Sequence, residues 1–397
     1  MNREDFPILN SGIIYFDNGA TSLKPRQVIE KMKEYYFEYP SNVHRGDYGI
    51  SLKADAEYLE ARKLVKDFIH AKKEEEIVFT SGTTDSLNRI VFGYMKQYLK
   101  ENDEVILTKS EHASNILPWF ELEDQIGIKV TYLELGPHHE VTLEQIKKQV
   151  NDRTKVISFA HVTNVLGDVR PIKEITKFAH EKGILVVVDG AQSVPHMRVD
   201  VKDLDVDFLA FSGHKMCGPT GIGVLYGKEN LLEKMNPISF GGGMNAMFLE
   251  DGTREYEKIP TRFEAGTPPI SEAIGLGEAI RYLMNIGMDY IYCYEKELKT
   301  YAVSKLKEIP EIEIYNEETD SGIISFNYKD IFAQDLAIYL DHHHICVRAG
   351  SHCAKILKEE LGKKNTCRIS FSFYNTKEEI DELIRALKNP HIKEELF

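Results

Sequence analysis

The feature that most constrains the fold is a repeated alternation of short apolar runs and helical patterns in the middle of the chain. Continuous apolar runs of this length suit strands that are buried on both faces, as in a parallel sheet covered by helices. The pattern therefore predicts an α/β fold with its functional residues at the carboxyl ends of the strands. The runs are Ile77–Phe79, Val105–Leu107, Val156–Phe159, Leu185–Val188 and Phe208–Phe211.

The last third of the chain has a different pattern. A long helical stretch over about 271–306 is followed by shorter strands near 322–328 and 368–373, with helices between and after them. The last helix is predicted to begin at a capping box formed by Thr376 and Glu379. This part of the chain is therefore predicted to form a smaller α+β domain.

The length of 397 residues suits two packed domains better than one ordinary core. We predict a large domain with a mainly parallel sheet over 17–285. The smaller domain is predicted to consist of 1–16 and 286–397.

Composition narrows the class of protein. The formal net charge of −14 argues against nucleic acid and anionic membranes as partners. No apolar run approaches the roughly 20 residues that a membrane span needs. The polar start, Met1–Asp5, predicts no signal peptide, and five cysteines are too few for a disulfide scaffold. We therefore expect a cytoplasmic protein with reduced thiols.

A carboxylate and a lysine follow two consecutive strand candidates. Asp189 ends one of them and Lys215 comes shortly after the next. Catalysis by pyridoxal 5′-phosphate (PLP) needs a lysine amine to bind the cofactor and a carboxylate to keep its pyridine nitrogen protonated. His112 follows a third strand, where an imidazole could stack on a planar cofactor and transfer protons. Each residue alone is more often structural, but the pair of Asp189 and Lys215 predicts a PLP site.

A phosphate group also needs hydrogen-bond donors. The segment Thr80–Thr84 follows a strand and opens a helix, so backbone N–H groups, the helix dipole and the hydroxyls of Thr83 and Thr84 would converge on an anion. Ser212 and His214, which precede the lysine, could bind the same phosphate. An ordinary capped turn is an equally good interpretation of Thr80–Thr84 taken alone.

Three motifs of the chain, Val188–Gln192, Phe211–Lys215 and Gly218–Gly223, together resemble the class V aminotransferase superfamily of fold-type I PLP enzymes. Within it, the segment Arg348–Ala354 resembles the group II cysteine desulfurases, the type that works in the Suf system of iron–sulfur cluster assembly. The resemblance runs almost end to end. Its other motifs are Tyr15–Thr21, Asn42–Arg45, Glu111–Asn115, His161–Gly167, Phe263–Thr267 and Cys367–Arg368.

The resemblance implies roles for the residues that would hold the cofactor. Lys215 would be the Schiff-base lysine, Asp189 the partner of the pyridinium nitrogen and Gln192 a donor to the ring hydroxyl. His112 would stack on the ring, with Asn164 nearby. The phosphate would be bound by Thr83, Thr84, Ser212 and His214, joined by Thr267 from a second subunit, and this implies a homodimer.

The resemblance also implies the substrate and the reaction. Arg368 would hold the carboxylate of L-cysteine with its guanidinium fork, with Asn164 nearby, while Arg348 and His44 would line the entrance. Cys353 would accept the sulfur as a persulfide and L-alanine would leave. The persulfide would then pass to a sulfur-acceptor protein or a small thiol. The thiolate is the nucleophile.

Arg348 and His352 would favour the thiolate form of Cys353 if their side chains point inward. A lone cysteine is more often a small buried hydrophobic residue. That interpretation is kept for Cys217, Cys293, Cys346 and Cys367.

The chain departs from the family pattern near the sulfur acceptor. The segment after Ala354 is Lys355–Glu360, where relatives usually have Gln-Pro-Leu, Ser351 replaces a common His or Gln, and Asp85 replaces a common Glu. The spacing from Cys353 to Arg368 is also too short for the mobile loop of group I enzymes. These differences bear on loop shape and on which acceptor docks.

Several alternatives stay open at the level of sequence. Selenocysteine lyase or a related Cβ–S/Se lyase would use the same lysine and aspartate without thiolate attack. Aminotransferase, decarboxylase or kynureninase-like activity does not need a cysteine at 353, and a non-catalytic PLP-binding scaffold does not need Lys215, Asp189 and Arg368 together. A metal at His342–Cys346 is disfavoured because the spacing matches no zinc pattern.

Overall fold

The structure is a computed structural model that describes residues 3–44 and 46–395. Arg45, which ends one of the quoted motifs, lies outside the described residues, as do Met1 and Asn2 at the start and the last two residues. The strands are β1 (Ile14–Tyr15), β2 (Ile77–Thr80), β3 (Glu104–Thr108), β4 (Lys129–Leu133), β5 (Thr154–Ala160), β6 (Leu185–Asp189), β7 (Phe208–Ser212), β8 (Gly223–Gly227), β9 (Asn245–Phe248), β10 (Arg254–Tyr256), β11 (Ile312–Ile314), β12 (Ile323–Tyr328), β13 (Ile345–Cys346), β14 (Arg348–Gly350) and β15 (Thr366–Ser370).

Helices cover both faces of the main sheet and one face of the smaller one. They are α1 (Arg26–Glu38), α2 (Gly49–Phe68), α3 (Thr83–Arg89), α4 (Lys96–Tyr98), α5 (Leu117–Ile126), α6 (Leu143–Gln149), α7 (Ile172–Glu181), α8 (Val201–Leu204), α9 (Glu229–Leu232), α10 (Ile270–Ile286), α11 (Met288–Leu306), α12 (Ala333–His342), α13 (Lys358–Leu361) and α14 (Lys377–Leu387). A π-helical segment at Ile90–Met95 joins α3 to α4.

The main sheet has seven strands in the order β2-β8-β7-β6-β5-β3-β4. Strands β3 to β7 pair in parallel, and β8 runs antiparallel to both of its neighbours. Val186 and Val188 of β6 belong to one hydrophobic core cluster, while Val187 between them belongs to another. Both faces of the sheet are therefore buried, and the predicted α/β fold with a mainly parallel sheet is confirmed.

The C-terminal part of the chain builds its own antiparallel sheet in the order β11-β12-β15-β14. This sheet packs with α11, α12 and α14 around a separate core cluster. Strand β1, from the amino-terminal part of the sequence, pairs in parallel with β13 in a separate two-stranded sheet. The predicted domain division at 17–285 stays a prediction, although the smaller sheet has a core cluster separate from the two clusters of the main sheet.

Two local predictions can be compared directly with the structure. The capping box of Thr376 and Glu379 is present at the start of α14. The long helical stretch predicted over about 271–306 is helical but consists of two helices, because Gly287 has a φ of 94° and separates α10 from α11. A non-glycine residue rarely adopts this conformation, so the glycine permits the break. Among the described residues, no helix is both long and apolar enough to cross a membrane.

Candidate active site

A cavity of about 210 Å³ lies at the carboxyl ends of β6 and β7. Its wall combines residues from the main sheet with residues from β14, β15 and the loop between them. The lining residues are Gly19, Ala20, Thr83, Thr84, His112, Ser114, Ala160, Val162, Asn164, Asp189, Ala191, Gln192, Ser212, His214, Lys215, Arg348, His352, Cys353 and Arg368. Most of the predicted site residues therefore meet in one place.

Parallel pairing of β6 with β7 brings Asp189 and Lys215 to the same cavity. Asp189 is the last residue of β6, and Lys215 ends a 3₁₀ turn, Gly213–Lys215, that follows β7. The buried Asp189 carboxylate accepts a hydrogen bond from the backbone N–H of Ala191 at 2.9 Å. Burial raises the pKa of Asp189 to about 6, although the Ala191 N–H and the Lys215 charge oppose the shift.

Lys215 carries an amine that gives up its proton easily. Burial lowers its pKa from 10.5 to about 8, and the positive charges of Arg368 and Arg348 act in the same direction, while Asp189 opposes them. A useful fraction of Lys215 is therefore neutral and nucleophilic near neutral pH.

The start of α3 and the end of β7 form the side of the cavity that suits an anion. The backbone N–H of Thr83 donates to the Ser212 hydroxyl at 2.8 Å, and the Thr83 and Ser212 hydroxyls are 2.7 Å apart. The Thr84 hydroxyl lies 2.7 Å from that of Ser114. Because hydroxyls can rotate and the N–H groups of a helix start are unpaired within the helix, these groups can turn towards a phosphate.

His112 is held as a neutral ring with a defined tautomer. Its Nδ1 accepts a hydrogen bond from the backbone N–H of Ser114 at 3.2 Å, so the ring proton sits on Nε2. Burial lowers the pKa of His112 to about 4, and the charge of Lys215 adds to this effect. A neutral, oriented imidazole at this position can stack on a flat ligand.

Arg368 is a buried cation on β15 that also lines the cavity. Its Nη2 lies 3.0 Å from the Asp17 carboxylate, and its Nη1 donates to the backbone carbonyl of Asn164 at 2.7 Å. Burial lowers its pKa, while Asp17 opposes the shift. This arrangement fixes the guanidinium in place.

Four buried polar atoms of residues that line the cavity have no hydrogen-bond partner within the described residues. They are Nε of Arg368, Oδ1 of Asn164, Oε1 of Gln192 and Nδ1 of His352. Unpaired buried polar atoms are costly, so they mark a site shaped for a polar ligand. Gln192 donates from Nε2 to the Gly19 carbonyl at 2.7 Å and keeps a second amide hydrogen for another acceptor.

Cys353 is exposed and lies in a loop that is pinned on both sides of the thiol. Asn164 Nδ2 donates to the His352 carbonyl at 2.7 Å, and the Ala113 N–H donates to the Cys353 carbonyl at 2.8 Å. His352 and Cys353 both have left-handed backbone angles, with φ of 51° and 58°. Such angles are unfavourable for side-chain-bearing residues, so these hydrogen bonds hold the loop in a strained shape.

The prediction that His352 supplies positive charge to Cys353 does not fit the structure. Its buried ring lies 2.9 Å from the Thr366 hydroxyl, and burial together with Arg368 and Arg348 lowers its pKa to about 3. His352 is therefore neutral near pH 7 and positions the loop. Arg348 does line the cavity and remains a source of positive charge.

Two predicted site residues do not line this cavity. The exposed Thr267 has its hydroxyl 3.5 Å from Asn42 Nδ2. His44 is also exposed and interacts with Asp55 through both its backbone N–H and its ring. Both residues lie on the part of the surface near the start of α2.

Sequence reasoning gave no role to several residues that the structure brings to the site. Ser114 connects Thr84 with His112, and Asp17 pairs with Arg368. Gly19 and Ala20 line the cavity directly. Asp17, Gly19 and Ala20 all fall in the motif Tyr15–Thr21, and this motif could have indicated from the sequence that they belong to the site.

Acid should destabilise the fold through its buried neutral histidines. Burial lowers the pKa of His161 to about 4 in the folded protein, against about 6.5 in the unfolded chain. The unfolded state therefore binds more protons between these values, and the free energy of unfolding should fall as the pH drops from about 6.5 to about 4. Urea unfolding measures this free energy at pH 7 and pH 5, and the decrease between them should be smaller for His161→Gln than for the wild type. Equal decreases in the two proteins would contradict a lowered pKa of His161.

The family assignment follows from comparison with known proteins. The family model described as aminotransferase class-V matches residues 14–383. The chain belongs to this family. The match spans every lining residue of the cavity, so the geometry above is that of a class V site.

Several relatives of this class V protein are named cysteine desulfurases. A protein of Halalkalibacterium halodurans named probable cysteine desulfurase is 46% identical over 389 residues, which cover 96% of this chain and 95% of the relative. An apo cysteine desulfurase structure from Thermococcus onnurineus has a TM-score of 0.93 at 41% identity, covering 97% of this chain and 96% of that one. Cysteine desulfurase CsdA of Escherichia coli also has a TM-score of 0.93, at 35% identity and coverage of 100% and 98%.

Proposed function

We propose that this class V protein is a PLP-dependent cysteine desulfurase. It removes sulfur from L-cysteine, releases L-alanine and retains the sulfur as a persulfide on Cys353. The observation that carries the proposal is the placement of an exposed cysteine on the same cavity wall as the buried Asp189 and the low-pKa Lys215. The names of the relatives at 35–46% identity support it.

The cavity suits PLP, whose chemical contribution when bound is to delocalise negative charge from the Cα of an amino acid. Lys215 would hold it through its amine, and Asp189 would face its pyridine nitrogen. His112 would stack on its ring, and Gln192 and Asn164 would bind its polar edge. Its phosphate would lie among Thr83, Thr84, Ser212 and His214.

Arg368 is the residue that binds the substrate carboxylate in this proposal. Its Nε has no hydrogen-bond partner within the described part of the chain, its other nitrogens are already oriented by Asp17 and Asn164, and Arg348 adds positive charge nearby. A guanidinium held in this way recognises a carboxylate with two hydrogen bonds. The amine of Lys215 then takes the Cα proton, since its pKa of about 8 leaves part of it neutral.

The sulfur step belongs to Cys353. Its thiolate attacks the sulfur of the bound cysteine, so an S–S bond forms as the Cβ–S bond breaks. The electron pair of the broken bond stays with the substrate carbon, which takes up a proton and leaves as part of L-alanine. The pinned loop holds the thiol at the cavity, where near-attack placement lowers the entropic part of the barrier.

Cofactor loading provides a pH-dependent test of Lys215. Its pKa is lowered, so the neutral amine becomes abundant as the pH rises through about 8, well below the usual 10.5. The rate at which the apoprotein binds PLP covalently, followed by visible absorbance, should therefore increase with pH and level off above about 8. An increase that continues towards pH 10 would contradict the assignment.

The proposed function is tested with Cys353→Ser and a matched control, Cys293→Ser, which changes another exposed cysteine away from the cavity. Wild type and Cys293→Ser should form alanine from L-cysteine in the presence of a reductant. After one turnover without reductant, mass spectrometry should find one added sulfur on Cys353. Cys353→Ser should keep bound cofactor and lose alanine formation by about 10³-fold or more.

Other outcomes of this experiment are equally informative. Full alanine formation by Cys353→Ser would exclude thiolate attack and favour a Cβ–S/Se lyase. Turnover of selenocysteine without turnover of cysteine by the wild type would favour selenocysteine lyase.

The finer assignments are part of the same proposal. The segment Arg348–Ala354 and its short connection to Arg368 favour group II, and we propose a cytoplasmic role in iron–sulfur cluster assembly. We also propose a homodimer in which Thr267 completes the phosphate site of the second subunit, since it does not line the cavity of its own chain. Sedimentation analysis that finds only monomer in the holoenzyme would contradict the dimer.

A further inference from the structure

A group of exposed lysines lies directly after the sulfur-accepting cysteine. Lys355, Lys358 and Lys364 are exposed, as is Cys353 itself. Within the described residues, none of the three lysines takes part in any of the ion pairs, whereas Lys363 beside them is paired with Glu313 at 2.7 Å. We call Lys355, Lys358 and Lys364 the lysine patch.

The acidic residues of the same segment do not cancel the patch. Glu359 and Glu360 both pair with Lys109, with Nζ–carboxylate distances of 3.4 and 3.1 Å. Lys109 follows β3, so it approaches these carboxylates from the main sheet and leaves the patch lysines free. The surface beside Cys353 is therefore locally positive in a chain whose net charge is −14.

The patch is held at a fixed place relative to the thiol. Ala354 and Leu357 are buried in a small apolar cluster with Val165 and Leu166, which follow β5. A 3₁₀ turn at Lys355–Leu357 leads into α13, so Lys355 and Lys358 stand on short helical turns whose apolar side is anchored. Lys364 lies in the short connection between α13 and β15.

A positive surface in an otherwise acidic protein selects its partner by charge. A macromolecule with a carboxylate-rich face is attracted to the patch and repelled by the rest of the surface, which raises the encounter rate and orients the partner. We propose that the lysine patch is the docking surface for a sulfur-acceptor protein whose reactive thiol is surrounded by acidic residues. This proposal rests on the proposed function.

The reaction that this docking serves needs no further oxidant or reductant. The acceptor thiolate attacks the outer sulfur of the Cys353 persulfide, and a new S–S bond forms on the acceptor as the old one breaks. Cys353 leaves as a thiolate and is ready for another turnover. The acceptor thus gains the outer sulfur atom as its own persulfide. One S–S bond replaces another, so the transfer involves no net oxidation or reduction.

The test uses the holoenzyme and two synthetic peptides, each with one cysteine, flanked by glutamates in one peptide and by lysines in the other. The enzyme is first loaded by L-cysteine in a single turnover, and released alanine is quantified. Each peptide is then added, and its persulfide is measured by mass spectrometry over time. Because flanking charges also alter the reactivity of each peptide thiol, the quantity compared is the glutamate-to-lysine ratio of rate constants in wild type and in variants.

The patch variant is K355E/K358E/K364E, and the matched control is K129E/K148E/K182E. The control reverses three exposed lysines that form no ion pair with the residues that the structure describes: Lys129 begins β4, Lys148 lies in α6 and Lys182 precedes β6. At low ionic strength, the ratio should fall by about ten-fold in the patch variant and stay unchanged in the control. Salt at about 1 M, where screening acts over roughly 3 Å, should remove most of the difference.

The two proposals fail in different ways. A wild-type enzyme that releases no alanine in the loading step would overturn the proposed function itself. Normal alanine release and an equal ratio in the wild type, the patch variant and the control would overturn only the docking surface. A patch variant that loads sulfur normally and yet reverses its peptide preference would support the proposal most directly.

Discussion

Replacement of Lys215 by arginine should abolish covalent cofactor binding and lower kcat/KM for L-cysteine by about 10⁴-fold or more. Arginine keeps the positive charge at the cavity, but its guanidinium does not lose a proton near neutral pH and can serve neither as a nucleophile nor as a base. Borohydride reduction followed by peptide mass mapping should locate the cofactor on Lys215 in the wild type and on no residue in the variant.

Lys24→Arg is the matched control for this substitution. Burial lowers the pKa of Lys24 to about 8 as well, and its Nζ contacts the His214 carbonyl at 3.0 Å, but Lys24 does not line the cavity. The control should retain the cofactor and most of the activity. Equal losses of cofactor and activity in both variants would mean that replacing any buried lysine near the site has this effect, and that Lys215 has no special role.

The second large effect is expected for Arg368→Lys, which should raise KM for L-cysteine by about 10²-fold and lower kcat less. A lysine at this buried position presents one point charge where the guanidinium presents a fork, and it leaves Asp17 or the Asn164 carbonyl without its partner. Steady-state alanine formation over a range of cysteine concentrations measures both constants.

Arg348→Lys serves as the comparison, since Arg348 lines the same cavity and is only half-buried. It should change KM by less than about ten-fold. If the two substitutions raised KM equally, the substrate carboxylate would not be bound specifically by Arg368, and the two arginines would act only through their summed charge.

Much of the fold follows from the sequence because buried strands leave a strong local signal. The apolar runs at β2, β3, β5, β6 and β7 all form strands of the main sheet. The reversal of β8 had no such signal, since a buried strand has the same apolar pattern in either direction. The break at Gly287 was also missed, because the helical pattern continues on both sides of it.

The site was predictable where a residue's role depends on its own motif. Asp189, Lys215 and Cys353 stand at the cavity as their motifs predict, but their assigned roles remain proposals. The actual state of His352 depends on burial and on Thr366, which is distant in the sequence, so its neutral, pinned ring could not be deduced from the Cys353 motif. Partners of this kind become visible only when the tertiary structure is known.

The pairing of β1 with β13 has a consequence for the timing of synthesis. Residues 14–15 pair with residues 345–346 as β-strands, and the backbone of Asp17 forms an isolated β-bridge with that of Ser370, two residues after Arg368. Chains are made from the amino end at roughly 5–20 residues per second, so the first segment must wait tens of seconds for its partners to emerge from the ribosome. A polypeptide that has been synthesised only as far as the main sheet lacks the pocket wall around Arg368, and it therefore cannot begin to release sulfur before residues 366–370 have emerged.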